Sequence, residues 1–170
     1  MQETSEQYIQ RMIGYVANRK PLAIQASTPS KIERLLKRAP AAKLKKRPAP
    51  EKWSVSEIVA HLADTEMVIG CRVRMILGQP GATLQPFDQD AWAAAMRYGK
   101  RDARKSFAQF RAFREANLAL LKSLTPEQWK QSGVHPERGE LTVEKITVMT
   151  AGHDVNHLGQ IERILAPARK

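Results

Sequence analysis

One cysteine, Cys71, occurs in 170 residues. A lone cysteine excludes an intramolecular disulfide and any cysteine-based zinc cluster; it falls opposite the apolar arc of its segment, as a surface or dimer-interface thiol would. No apolar run approaches the ~20 residues needed to span a bilayer, and the opening Met1-Gln2-Glu3-Thr4-Ser5-Glu6 is too acidic and polar for a signal peptide. These absences lead us to expect a cytoplasmic protein with no membrane partner. Gly78-Gln79-Pro80-Gly81 lacks the spacing and the following Lys-Ser/Thr of a phosphate-binding loop, and no Ser-His-Asp triad is evident. Acidic residues are few beside basic ones, 17 against 28, for a formal net charge of +11. Such an excess usually raises nucleic acid as a partner. Here the basic clusters Lys43 to Arg47 and Arg97 to Lys105 carry no interleaved aromatics and no recognition-helix pattern. We therefore read them as solvated loops and helix ends, not as a nucleic-acid surface; the alternative is that they help draw in an anionic small substrate.

No strand pattern, internal repeat or low-complexity tract appears, and apolar residues recur at helical spacing. Residues 5 to 18 read as a short amphipathic helix with Tyr8, Ile9, Met12 and Ile13. Pro21 suits the first turn of the next helix, and Thr28 can cap its continuation through Ile32, Leu35 and Leu36. Residues 39 to 52, with Pro40, Pro48 and Pro50, form a connector. Ser54-Val55-Ser56-Glu57 is a capping box that opens a helix running to Leu77, with Ile58, Val59, Leu62, Ile69, Val73 and Ile76 inward. Residues 78 to 101 form a long link, expected over an end of the bundle, in which Asp88 can cap a short helix through Met96. A further helix runs from Asp102 to Leu124, with Phe107, Phe110, Phe113, Leu120, Leu121 and Leu124 inward. Thr125 caps a short turn, His135-Pro136-Glu137-Arg138-Gly139 forms another, and Thr142 to Ala166 is the last long helix. The expected fold is all-α: a single domain over residues 1–170, an up-and-down four-helix bundle with a short N-terminal helix and a short helix in the link between the second and third bundle helices.

His153 and His157 are four residues apart in the last helix, which brings their Cβ atoms within about 5–6 Å on one face. That face is the apolar arc of Val143, Ile146, Ile161 and Ile164, so two imidazoles point into the core. An unpartnered buried polar group costs about 1–3 kcal/mol, and a shared metal ion removes the cost. A hydrogen-bonded pair of core histidines is the alternative. His61, on the flank of the second bundle helix, faces the seam where a third ligand belongs. Three neutral imidazoles leave an open position for water, as catalytic sites do. His135 could cover the mouth of such a site, although a surface role is the simpler expectation. Asp64 is expected in solvent, Asn117 hydrogen-bonded across the core, and Glu57 occupied by capping.

Four stretches resemble a known family. Trp53-Ser54-Val55 with His61-Leu62-Ala63-Asp64, the Pro86 to Trp92 link, the His135 to Thr142 turn, and Gly152-His153 with His157-Leu158 and Gln160-Ile161 are similar in order and spacing to the DinB-like superfamily. Within it they resemble the YfiT-type metal-dependent hydrolases and their bacillithiol-type S-transferase relatives. The resemblance implies a divalent metal, nickel or zinc, on His61, His153 and His157, a bundle of unusual handedness, and a homodimer. Where YfiT-type sequences carry Trp-His-Gly-Arg-His-His around the last histidine pair, this chain has Ala151-Gly152-His153-Asp154-Val155-Asn156-His157; Asp154 replaces a small residue and Asn156 replaces a histidine. The function expected is hydrolysis of a small molecule or transfer of a low-molecular-weight thiol. The alternative is a non-catalytic, stress-linked metal-binding or nucleic-acid-associated module.

Overall fold

Local signals set most helix ends in the computed structural model, which describes residues 3–167. Thr4 closes a capping box on helix α1, Ser5–Val16. Ser54 and Glu57 close the expected one on α4, Val55–Gly78, and Asp88 caps α5, Gln89–Ala95, as its position predicts. Asp102 caps α6, Ala103–Lys122, Thr125 caps α7, Pro126–Lys130, and Thr142 caps α8, Val143–Leu165. The proline-rich connector holds one short helix, α3, Ala41–Lys45.

Helix α2, Pro21–Arg38, corrects the expectation of a cap at Thr28 within its continuation, since it passes unbroken through Pro29. Proline lacks the amide that would bond the carbonyl four residues earlier. That carbonyl, on Gln25, instead accepts Arg114 Nη1 from α6 at 3.0 Å. A tertiary contact thus satisfies the group the proline leaves over, and the helix continues.

Strands also appear where none was expected. Ser132–His135 (β1) pairs antiparallel with Gly139–Thr142 (β2), His135 facing Gly139 at the turn. Four residues are too few for an alternation to register in a sequence. Gly139 has φ +67°, a conformation suited to glycine at the turn. Thr83 bridges to Val134, which ties the link after α4 to the hairpin.

The bundle consists of α2, α4, α6 and α8. Helix α4 packs on α6 and α8, and α2 packs on the same two. Contacts along α4 and α6 climb together, from Glu66 with Arg114 to Arg74 with Asn117. Gln25 reaches Thr147, and Ile32 and Leu36 share a cluster with Ile161, so α2 and α8 also climb together. The four-helix bundle is as expected, and its helices run up, down, down, up, so that the second and third are parallel instead of alternating. Two successive parallel helices need a connection as long as the bundle, about 36 Å for the 24 residues of α4. The link from Gln79 to Asp102 supplies it, running back along the side instead of over an end.

Apolar side chains gather at the two ends of the bundle. Ile32, Leu36, Val55, Ile58, Phe110 and Ile161 belong to one cluster, and Met12, Val73, Ile76, Leu121, Val143 and Ile146 to the other. Phe113, expected inside, is 38% exposed, while Arg114 beside it is buried. Between the clusters lies a polar layer drawn from all four helices. Among the described residues no helix is long and apolar enough to cross a membrane.

Candidate metal centre

His61 lies in the second turn of α4, and its position follows from the helix start. Ser54 Oγ accepts the Glu57 amide and Glu57 Oε2 accepts the Ser54 amide at 2.8 Å. Glu57 also accepts Arg47 Nε at 3.0 Å, pinning the basic connector to the same point. Capping thus accounts for Glu57 as expected, with Arg47 an addition. The Trp53 ring stands 5.0 Å from the His61 ring and covers it on one side. His153 and His157 lie one turn apart on α8, where Gly152 permits the close approach of α1.

All three imidazoles are buried, His61 more deeply than its flank position suggested, and they converge. His61 Nε2 and His157 Nε2 each stand 3.0 Å from His153 Nε2. One nitrogen of each ring lies within 4.8 Å of the others. Hydrogen bonds do not account for this arrangement. A neutral imidazole nitrogen is either a donor or an acceptor with one lone pair, so His153 Nε2 cannot serve two such partners. A cation shared by three lone pairs does account for it, and an N···N separation of 3.0 Å is what two nitrogens about 2.1 Å from one ion at roughly a right angle would show. His157 Nδ1 faces Gln160 Oε1 at 3.0 Å; the amide oxygen can only accept, which leaves the Nε2 lone pair of His157 free.

Electrostatics favour the same protonation state. Burial, reinforced by His157, holds the His61 pKa well below the usual histidine value, and burial with both neighbours does the same for His153. His157 is pushed down to about 4, chiefly by burial. The rings are therefore neutral near pH 7, the form that ligates a metal. The donor set fits a divalent ion.

Two cavities flank the cluster. One, of about 720 Å³, has His61, His153 and His135 in its wall together with Pro86 and Phe87 of the return link. The other, of about 640 Å³, meets His153 and His157 with Trp53 and Asn156. His135 is a correction: it is 2% exposed and lines the first cavity, not the surface. The hairpin carries it inward, a placement that its Pro/Gly surroundings did not reveal. Asp64 corrects another expectation, since it accepts Arg101 Nη1 at 2.9 Å and is only partly exposed. Cys71 is exposed as expected. Asn117 bonds across the core as expected, donating to Glu66 Oε1 at 2.9 Å and accepting Arg74 Nη1 at 2.8 Å.

Sequence reasoning missed the polar knot beneath the histidines. Arg114 donates to Asp154 Oδ2 at 2.5 Å and Oδ1 at 2.9 Å, and to Glu66 Oε2 at 2.7 Å, all nearly fully buried. With the Gln25 carbonyl, these contacts join all four bundle helices at one guanidinium. Burial by itself would lower the Arg114 pKa, but Asp154 and Glu66 outweigh it and keep the group charged. Asp154 follows His153 directly, so the knot fixes the rotation of α8 and with it the direction of the His153 ring. A helical wheel that places Arg114 on the arc of Phe107, Phe110 and Leu121 is the one signal that could have found it.

Residues 26–161 match the model of the DinB superfamily. The chain is 28% identical over 113 residues to "Putative metal-dependent hydrolase YfiT" of Bacillus subtilis, covering 66% of this chain and 64% of that one. It is 27% identical over 109 residues to "Putative metal-dependent hydrolase OB0782" of Oceanobacillus iheyensis, covering 64% of this chain and 63% of the relative. The matched region thus spans just under two thirds of those curated relatives' length. In fold, the chain is similar to the solved structure of Bacillus subtilis YfiT, described as having an unusual four-helix bundle topology, with a TM-score of 0.71 at 23% identity over 96% of this chain and 88% of the other. It also shares its fold with a mycothiol-dependent maleylpyruvate isomerase, with a TM-score of 0.64 at 10% identity over 88% of this chain and 61% of that one. On the family match across most of its length, the chain belongs to the DinB superfamily.

Proposed function

We propose that the protein is a divalent-metal-dependent enzyme acting on a small molecule, with His61, His153 and His157 as ligands of nickel or zinc. The observation that carries this reading is the meeting of three buried Nε2 atoms, two pairs at 3.0 Å, in a wall shared by two cavities. Held by His61, His153 and His157, a divalent ion would supply a +2 charge that lowers the pKa of a water or a thiol.

The chain's own residues do the rest. Gln160 holds the tautomer of His157, Trp53 shields His61, and the Arg114 knot fixes α8. His135 Nδ1 accepts the Glu137 amide at 3.2 Å, which leaves its proton on Nε2, the nitrogen on the Arg72 side of the cavity. That proton is available to a substrate oxygen.

Hydrolysis is the leading reaction class, supported by the names of the relatives. Thiol transfer is the second reading, and the paired cavities favour it: about 720 and 640 Å³ on either side of His153 leave room for a thiol and an acceptor together. A cytoplasmic homodimer that binds neither membrane nor nucleic acid is proposed with it. The test is turnover of an aryl-ester panel and of an electrophilic aryl halide by metal-loaded protein, with and without glutathione, bacillithiol or mycothiol. Ester cleavage without thiol supports hydrolysis, and thiol-dependent consumption of the halide supports transfer. Activity in neither arm, or activity unchanged in His157→Ala, contradicts the enzyme reading.

A further inference from the structure

Arg72 is a buried charge with no salt-bridge partner among the described residues, Glu137 acting on it only through space. Its side chain, on α4, is 5% exposed. Nη2 donates to the Gln85 carbonyl at 2.5 Å, and Nε has no partner. An ionised group buried in this way is costly unless something of opposite charge joins it.

The neighbours sharpen the anomaly. Arg138 lines the same cavity of about 720 Å³, and its buried Nε is likewise without a partner. The Arg138 guanidinium carbon stands 4.9 Å from the Tyr8 ring centre, and that of Arg72 stands 5.9 Å from Phe87. Each guanidinium thus has an aromatic ring as a neighbour, which leaves its N–H donors for acceptors in the guanidinium plane. His135, whose proton is on Nε2, adds a third donor beside Arg72 at 3.4 Å. The wall that carries these groups also carries His61 and His153.

Acidic groups line the cavity too, but they are occupied or exposed. Glu3 is taken by Arg11 at 2.7 and 2.8 Å, Asp88 caps α5, and Glu137 and Asp90 are exposed. Their negative charge penalises phosphate, which brings two charges on one centre, more than a carboxylate group, which brings one charge to the arginines. The planar fork of an arginine also matches a carboxylate with two parallel bonds.

We infer that Arg72, Arg138 and His135 form a carboxylate-binding subsite in the cavity beside the three histidines, and that the substrate is a small molecule bearing a carboxylate. This assignment deepens the proposed function by naming the substrate class, and rests on it for the term substrate; the binding subsite itself stands on the arginines.

The experiment is calorimetric titration with succinate of the metal-loaded and the chelator-stripped protein, with succinamide and inorganic phosphate as comparators. Wild type should bind succinate saturably in both forms and should not bind succinamide. Arg72→Gln and Arg138→Gln should each weaken succinate binding by about tenfold or more, the worth of a hydrogen bond to a charged group, in both forms. Arg138, only partly buried, decides the matter should Arg72→Gln not fold. No succinate binding by wild type, equal affinity in the variants, equal binding of succinamide, or tighter binding of phosphate would each overturn the subsite. Metal content, measured on the same samples, separates the two claims: a wild type that takes up no divalent ion refutes the metal reading and leaves the arginine result standing.

Discussion

Arg114 on α6 grips both carboxylate oxygens of Asp154 on α8, one residue past His153. Removing one side of such a buried pair strands the other, which costs about 3–5 kcal/mol. Arg114→Met should therefore lower unfolding stability by about that amount in urea denaturation, because two buried carboxylates lose their cation. Arg114→Met with Asp154→Leu should cost less than the sum of the single variants, since the second change removes one of the stranded charges. Additive costs would show that the pair does not couple.

Gly152 meets the backbone of α1 directly. A Cβ there would lie 2.0 Å from the Met12 carbonyl oxygen, a contact no side-chain rotation relieves. Gly152→Ala should lower stability by about 1–3 kcal/mol, the range for overpacked cores. It should also raise hydrogen exchange in α1, and a wild-type exchange pattern in the variant would count against this packing.

The cap of α4 gives a contrasting case. Ser54→Ala removes the acceptor for the Glu57 amide and should cost about 1 kcal/mol, read as a shift in melting temperature. His61 lies far enough into the helix that divalent-ion content should not change.

Metal-free protein should lose stability as pH falls from 6.5 toward 4. In that window the unfolded chain protonates its histidines, while folded His157 stays neutral down to about 4. The unfolded state therefore binds more protons, and stability rises with pH. His61 and His153, also held low by burial, add in the same direction. Denaturation midpoints across this range should flatten in His157→Gln, and an equal slope in both proteins would refute the assignment.

Much of the architecture was legible from local chemistry. Ser54 with Glu57, Asp88 and Thr125 marked helix starts because capping is settled within four residues. The pairing of His153 with His157 was legible because helical spacing fixes which side chains share a face. What escaped depended on distant partners. Thr28 reads as the cap of a continuation until Arg114 is seen taking the Gln25 carbonyl, which lets the helix pass through Pro29. His135 reads as a turn residue until a four-residue strand carries it against Arg72. Helix direction stayed hidden as well, because the up, down, down, up order follows from which helices pair, and a link of 24 residues is compatible with more than one path.

Metal content of wild type beside His61→Ala, His153→Ala and His157→Ala, after loading with nickel or zinc and removal of excess, bears most directly on the convergence of the three imidazoles. About one ion per folded wild-type chain is expected, since three neutral imidazoles complete one site with an open position, with content collapsing in every variant. A folded wild type without metal, or a His157→Ala variant that keeps its full complement, would contradict it.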